Sequence, residues 1–182
     1  KAVSLMKHPS AYLNWYVNVP DVRYDFRSSG VSEFKYNLTL GEIDLGTNHA
    51  HGNPETVALL AKRYHVKPED LFTSSEGASG QNARIIRVLA ELNPRKKQAV
   101  VEYPTYEPLL RQVQEHFPVI KRLDREEKED YRLDADKLRE IVSSKTALLV
   151  LTNPHLPSGA VSDASELKEI MDVAREHGFY VA

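Results

Sequence analysis

Residues 98–124 read QAVVEYPTYEPLLRQVQEHFPVIKRLD, and this stretch contains the repeating pattern that decides the fold. It opens with an apolar, β-branched run at Gln98–Tyr103, which is typical of a buried strand. A helical stripe comes next, with apolar residues three and four positions apart: Leu109, Leu110, Val113 and Phe117. A second strand-like run spans Val119–Leu123. A strand, a helix and a strand in this order indicate a βαβ unit in a parallel sheet.

The same alternation extends from about residue 68 to the end of the chain. Further strands are predicted at Asp70–Ser74, Ala147–Thr152 and Phe179–Ala182. Further helical stripes comprise Ala83, Ile86, Val88, Leu89 and Leu92; Leu138, Ile141 and Val142; and Leu167, Ile170, Met171, Val173 and Ala174. The pattern predicts an α/β fold with a mostly parallel sheet and right-handed crossovers.

Helix boundaries are marked by local signals. Asn93-Pro94 and Phe117-Pro118 end two helices, and Gly178 comes after the last helix as a C-terminal cap. Asp163 or Ser162 is a good N-cap for that last helix, and Glu166 completes a capping box with Asp163. The charged run Asp124–Arg132 is predicted to be a solvated loop, in preference to a patch that binds a partner.

Composition excludes several classes of protein. The chain has 182 residues, 24 Lys and Arg against 26 Asp and Glu, 41% hydrophobic residues and no cysteine. It is therefore apolar enough to fold, too balanced in charge to suggest nucleic acid as a partner, and unable to form disulfides. No apolar run is long enough to span a membrane, and no zinc-type spacing or Ser-His-Asp arrangement is visible. We expect a soluble cytoplasmic protein without a bound metal.

The first 52 residues differ from the rest. They are rich in aromatic side chains, namely Tyr12, Trp15, Tyr16, Tyr24, Phe26, Phe34 and Tyr36, yet prolines and glycines interrupt them repeatedly. We interpret residues 1–52 as an N-terminal arm or a partial small domain that packs against another surface. A basic, aromatic nucleic-acid surface is disfavoured because basic residues are sparse. Residues 53–182 form a second region, which opens with an amphipathic helix at 53–64.

Ligands of parallel α/β sheets bind beyond the carboxyl ends of the strands, so the loops there are candidate sites. Residues 74–82 read SSEGASGQN, and their small residues begin a helix whose backbone amides suit a phosphate. A plain glycine-rich turn capped by Ser79 is the alternative. The loop has neither the dinucleotide fingerprint nor the P-loop lysine.

Two further loops carry candidate residues. In 102–108, EYPTYEP, Tyr106 is placed to stack on a flat ring or to form part of a surface turn. Pro104 lies two residues before Tyr106, and the peptide bond that precedes Pro104 could be cis because X–Pro bonds prefer trans only weakly. Residues 152–159, TNPHLPSG, form a rigid turn in which His155 is interpreted as a loop residue and not as a metal ligand.

Taken together, Gly77-Ala78-Ser79, the PTY at 104–106 and the NPHLPSG at 153–159 resemble one family. From about Gly41 to Ala182 the chain resembles the N-terminal half of a fold-type I, pyridoxal-phosphate-dependent aminotransferase of class I/II. The resemblance implies a truncated three-layer α/β/α large domain, pyridoxal 5'-phosphate as cofactor, and transfer of an amino group from an amino acid to a 2-oxo acid. It also implies a homodimer.

The resemblance assigns roles to individual residues. Gly77, Ala78 and Ser79 would hold the cofactor phosphate, and Tyr106 would stack on the pyridine ring. The family's loop usually reads NPNNPTG, and its second asparagine donates a hydrogen bond to the phenolic oxygen of the cofactor. Leu156 stands there in this chain and cannot donate, so Asn153 or His155 is the candidate to compensate. Ser158 replaces the usual threonine, which is a mild change.

Other implications concern residues that members of the family carry nearer to their C-terminus. The aspartate that pairs with the pyridinium nitrogen and the Schiff-base lysine are among them, so no catalytic residue is assigned here. We expect the 182-residue chain to be inactive, and the segment near Leu71–Ser74 to lack its neighbouring strands and to promote association. Two alternatives stay open: a lyase on the same scaffold, and a non-catalytic ligand-binding or regulatory paralogue, which Leu156 favours. The amino-acid substrate is not specified.

Overall fold

The computed structural model describes residues 10–20, 22–25, 35, 37, 39 and 52–182. The chain divides into two compact units, one of Pro20–Gly77 and one of Lys1–Val19 with Ala78–Ala182. The predicted boundary between residues 52 and 53 stays a prediction, as does the arm, most of which lies outside the described residues. None of the described helices combines the length and the apolar character needed to cross a lipid bilayer.

The larger unit is built on a parallel sheet of four strands. These are β1 (Gln98–Tyr103), β2 (Val119–Asp124), β3 (Thr146–Val150) and β4 (Tyr180–Val181), in the order β2-β1-β3-β4. All three neighbouring pairs are parallel. Its helices are α1 (Ala11–Asn18), α3 (Gly77–Leu92, which begins at the last residue of the smaller unit), α4 (Glu107–His116), α5 (Ala135–Ile141) and α6 (Ala164–His177). The predicted parallel α/β sheet is confirmed.

Helices cover both faces of the sheet. Because successive strand residues point to opposite faces, Val100 and Leu149 pack with residues of α5 and α6, whereas Val101 and Val150 pack with residues of α3 and α4. The first cluster contains Leu138, Ile170 and Val173, and the second contains Ile86, Leu109, Val113 and Phe117. Two apolar layers around one sheet confirm the three-layer α/β/α architecture.

The helix-boundary signals act as predicted on α6. The Asp163 carboxylate accepts hydrogen bonds from the backbone of Ser165 and Glu166, and the Glu166 side chain accepts one from the Asp163 amide. Gly178 ends the helix with a left-handed φ of 66°, a conformation that costs glycine little. The hydrogen bond from the Ser165 hydroxyl is the main cause that lowers the pKa of Asp163.

The strand predicted at Asp70–Ser74 is wrong. Pro68–Asp70 form a short 3-10 helix, and residues 71–74 belong to no strand. Phe72 is exposed. The reason is that a strand needs a neighbour for its backbone groups, and no strand pairs with this segment in the part of the chain that the structure describes.

In the smaller unit, the predicted amphipathic helix is present as α2 (Pro54–Tyr64). The Asn53 side chain caps its first turn by accepting from the Thr56 amide, and Val57 and Ala61 are its buried residues. The helix ends at His65 in a left-handed conformation. Asparagine before proline is a favoured helix start, so the local sequence explains where α2 begins.

Replacing Leu149 with Ala should lower the free energy of unfolding by about 2–5 kcal/mol, because Leu149 is fully buried in the sheet and the substitution leaves a cavity. Met171 is the matched control. It belongs to the predicted stripe of α6 but is exposed, so Met171→Ala should change stability far less. Urea unfolding followed by circular dichroism measures both, and equal losses would contradict this account of the core.

Candidate active site

The loops that come after β1, β2 and β3 meet at one edge of the sheet. Parallel strands place their carboxyl ends together, so Tyr103, Asp124 and Val150 all end at this edge. The loop after β1 continues into α4, and the loop after β3 contains residues 151–163. The predicted site residues Tyr106, Asn153 and Leu156 lie in these loops.

A buried ion pair crosses this edge. Glu102 Oε2 accepts from Arg125 Nη1 at 2.8 Å, and each side chain is only 1% exposed. The other carboxylate oxygen, Oε1, accepts from the Thr152 amide at 2.7 Å and from its hydroxyl at 2.5 Å. Glu102 on β1 therefore binds both the segment after β2 and the segment after β3.

The guanidinium of Arg125 is satisfied from three sides. Besides Glu102, it donates from Nε to the Tyr131 carbonyl at 2.6 Å and from Nη2 to the Ser162 hydroxyl at 3.2 Å. The prediction that residues 124–132 form a solvated loop is therefore wrong for Arg125. A charged side chain is tolerated in the interior when it is paired and hydrogen-bonded. The partners Glu102 and Ser162 lie far from Arg125 in sequence, so the charged run itself does not indicate this burial.

His155 is buried beside this pair. Its side chain is fully covered, with Nε2 2.9 Å from the Pro104 carbonyl oxygen and Nδ1 2.6 Å from Ser158 Oγ. A carbonyl oxygen can only accept, so Nε2 carries a proton that it donates to Pro104, while Nδ1 is hydrogen-bonded to the Ser158 hydroxyl. Nε2 also lies 3.8 Å from Glu102 Oε2. No sequence motif indicated this Ser158–His155 contact beside a carboxylate.

Both candidates to compensate for Leu156 make hydrogen bonds within the loops. Asn153 Nδ2 donates to the Ser162 carbonyl and Asn153 Oδ1 accepts from the Ser162 amide, both at 3.0 Å. His155 donates from Nε2 to the Pro104 carbonyl. Leu156 itself is 47% exposed, and its amide donates to Thr152 Oγ1. These contacts use one of the two N–H groups of the Asn153 amide, so the expectation that Asn153 or His155 supplies the missing donor stays a prediction.

Ser79 and Tyr106 share a groove of about 500 Å³. Gln112 Nε2 donates to the Ser79 carbonyl at 3.0 Å and so ties the first turn of α3 to α4. Burial raises the pKa of the Tyr106 phenol, and Tyr12 raises it further, so the ring is neutral near pH 7. Thr105 Oγ1, next to Tyr106, is buried with no hydrogen-bond partner among the described residues. Gly77 belongs to the smaller unit, so of the predicted residues Gly77 and Ser79 only Ser79 is described as part of this groove.

Helix α1 is attached to the start of α4 by one carboxylate. Glu107 accepts from the Ser10 hydroxyl at 2.8 Å and from the amides of Tyr12 and Ala11 at 2.6 and 3.2 Å. The bond from the Tyr12 amide is the main cause that lowers the pKa of Glu107 to about 2. The Tyr12 and Tyr106 rings meet edge to face at 5.4 Å. These contacts join segments about 95 residues apart and have no local signal in the sequence.

The bond between Pro104 and Tyr103 is cis, as are those preceding Pro154 and Pro157. Of the predicted site residues, the structure brings Ser79 and Tyr106 together, while Asn153 and Leu156 lie on the loop after β3. Sequence reasoning missed Glu102, Arg125 and Glu107. The one available signal was Glu102 itself, a charged residue in the apolar run QAVVEY.

Replacing Glu102 with Gln should lower the free energy of unfolding by about 3–5 kcal/mol, because it leaves the buried Arg125 charge without its counter-ion. Glu126→Gln is the matched control, since Glu126 pairs with Lys128 and Lys137 at the surface and such pairs contribute little. Chemical denaturation measures both variants. A Glu102→Gln protein as stable as the control would contradict the role assigned to the ion pair.

Acid should release α1 from α4. Because the pKa of Glu107 is lowered to about 2 from its ordinary value of 4.5, its contribution is complete above pH 4.5 and is lost as the pH falls toward 2. Trp15 on α1 is the single tryptophan of the chain, so its fluorescence anisotropy reports the release. Glu107→Gln should already show the low-pH signal at pH 7 and lose the acid transition, and a transition that persists unchanged in this variant would disprove the assignment.

Comparison with known proteins agrees with this architecture. The family model "Aminotransferase class I and II" matches residues 31–182. A probable N-succinyldiaminopimelate aminotransferase from Mycobacterium tuberculosis is 32% identical over 89 residues, which cover 48% of this chain and 22% of that protein. Aromatic-amino-acid aminotransferase 2 from Thermococcus litoralis is 38% identical over 55 residues, covering 30% and 14%.

Solved structures show the same fold. Aspartate aminotransferase from Thermus thermophilus with maleate superposes with a TM-score of 0.60 at 22% identity, over 72% of this chain and 35% of that one. An Escherichia coli aminotransferase gives 0.62 at 23% identity, over 72% and 33%. The matches thus span about a third or less of these proteins. Since the family model covers most of its length, the chain belongs to the class I and II aminotransferase family.

Proposed function

We propose that this chain is the cofactor-binding part of a pyridoxal-phosphate-dependent aminotransferase, which transfers an amino group from an amino acid to a 2-oxo acid. Family membership supports the class of reaction. The observation that carries the proposal is the groove that Ser79 and Tyr106 line together. It combines a helix start suited to an anion with an aromatic ring suited to a flat ligand.

The phosphate of the cofactor would bind at the start of α3, against Gly77, Ala78 and Ser79. The first amides of a helix have no partner within it and carry the positive end of the helix dipole, so they attract an anion. All three residues are exposed and small. A phosphate can therefore approach the backbone closely, and the Ser79 hydroxyl adds one further donor.

The ring of the cofactor would stack on Tyr106. Burial raises the pKa of its phenol, and the edge contact with Tyr12 restrains the ring. Among the described residues, the buried Thr105 Oγ1 has no hydrogen-bond partner, and a water would satisfy it. When bound, pyridoxal phosphate supplies an electron sink for the carbanion that forms on the substrate; the residues described here bind and orient it.

The departure at Leu156 is the observation that favours a second candidate function. An apolar side chain cannot donate to the phenolic oxygen, and Asn153 and His155 each make hydrogen bonds within the loops. Asn153 would instead hold the shape of the loop around the cofactor. This departure favours, as the alternative, a non-catalytic ligand-binding or regulatory paralogue, or a lyase on the same scaffold.

The partners follow from the reaction class. We propose a small amino acid and a 2-oxo acid as substrates in the cytoplasm, and a homodimer whose interface includes the exposed Trp15 and Val17 of α1. An exposed apolar patch of this kind usually marks a contact surface. The matched relatives carry different substrate names, so we assign the substrate class alone.

Pyridoxine 5'-phosphate tests the proposal, because it has the ring and the phosphate but no aldehyde to react with surface lysines. Titration calorimetry should show that it binds the chain at least about tenfold more tightly than pyridoxine does. Ser79→Glu should weaken its binding by about tenfold or more, since a carboxylate repels the phosphate; tenfold corresponds to about 1.4 kcal/mol.

Ser144→Glu is the matched control, as Ser144 lies at the surface between α5 and β3. It should bind pyridoxine 5'-phosphate like the unmodified chain. Equal affinity for pyridoxine and its phosphate, or equal binding by the two glutamate variants, would refute the proposed phosphate site.

A further inference from the structure

His155 joins the two loops that carry the proposed ring-binding residues. Its Nε2–H donates to the Pro104 carbonyl in the loop after β1, and its Nδ1 is hydrogen-bonded to the Ser158 hydroxyl in the loop after β3. Pro104 lies two residues before Tyr106, and His155 directly precedes Leu156. One imidazole therefore spans the turns on which both of these residues stand.

The imidazole is held in one orientation. Its backbone is fixed on both sides, because the His155 amide donates to the Ala160 carbonyl at 2.7 Å and its carbonyl accepts from Gly159 at 2.6 Å. The Tyr131 ring packs on it at 5.8 Å between centroids. A side chain fixed by its backbone, by packing and at both nitrogens has little freedom to turn, so it transmits the position of one loop to the other.

We propose that His155 is a positioning residue of the candidate site: it fixes the turn of Tyr106 relative to the loop of Leu156 through the hydrogen bonds at its two ring nitrogens. The inference rests on the proposed function for its link to ligand binding, but the coupling of the loops is a property of the chain itself. His155 does not contact the ligand, since its donor is committed to Pro104 and its ring is buried.

The two hydrogen bonds can be removed separately. Ser158→Ala keeps the bond to Pro104 and removes the bond at Nδ1, together with the bond that Ser158 Oγ accepts from the Ala160 amide at 3.2 Å. His155→Gln keeps an amide N–H near the position of Nε2 and should preserve the bond to Pro104, whereas His155→Ala loses both. Val173→Ala is the control for stability alone, because Val173 is fully buried in the layer of α5 and α6, away from these loops.

Hydrogen exchange of the ligand-free chain gives the first readout. His155→Ala should raise exchange by about tenfold or more both at Tyr106–Leu110 and at Leu156–Ala160. Ser158→Ala should raise it in the second segment only, and His155→Gln should leave the first segment close to the unmodified chain. Val173→Ala should raise exchange in neither segment beyond the global change. If His155→Ala gives the same pattern as Val173→Ala, the positioning role is disproved.

Affinity for pyridoxine 5'-phosphate gives the second readout. His155→Ala should weaken binding about tenfold, His155→Gln should restore most of it, and Val173→Ala should leave it unchanged. Unweakened binding by His155→Ala, or no rescue by His155→Gln, would overturn the link to ligand binding. If the unmodified chain does not bind the probe, the proposed function fails, and the exchange pattern alone then decides whether His155 couples the loops.

Discussion

The carboxyl edge of this sheet depends on the buried pair formed by Glu102 and Arg125. Removing two charges from water is costly, and a buried pair offsets that cost only when its remaining hydrogen-bonding groups are also satisfied. Here Thr152, Tyr131 and Ser162 provide those bonds. We infer that the pair favours one arrangement of the three loops, because any other would leave a charge unpaired in the interior.

The candidate site is built outward from this anchor. Glu102 fixes Thr152, whose hydroxyl accepts from the Leu156 amide, and Arg125 fixes Ser162, which pairs with Asn153. The residues proposed to meet a ligand lie in these loops or at the start of α3 and are themselves half-buried or exposed. Polar residues in the interior thus determine where exposed residues stand, which is how a loop can be both accessible and well ordered.

Local patterns predicted what local physics controls. The βαβ alternation, the limits of β1 and the capping box of Asp163 each depend on neighbouring residues, and all were predictable. Asp70–Ser74 has a strand-like sequence but no partner strand among the described residues, and Arg125 lies in a charged run yet is buried by residues distant in sequence. The candidate residues Ser79 and Tyr106 were predictable from the motifs that contain them. The hydrogen bond between Ser10 and Glu107 was not, because the two residues lie 97 positions apart.

The loop TNPHLPSG reverses the usual distribution of polar and apolar side chains. Asn153 and His155 direct their polar atoms to partners within the loops, while Leu156 leaves 47% of its surface exposed. An apolar side chain so exposed contributes only part of its hydrophobic free energy to folding. At position 156 the loop is held through the backbone amide, which any residue but proline provides. The identity of residue 156 therefore affects what the exposed surface meets much more than it affects the stability of the loop.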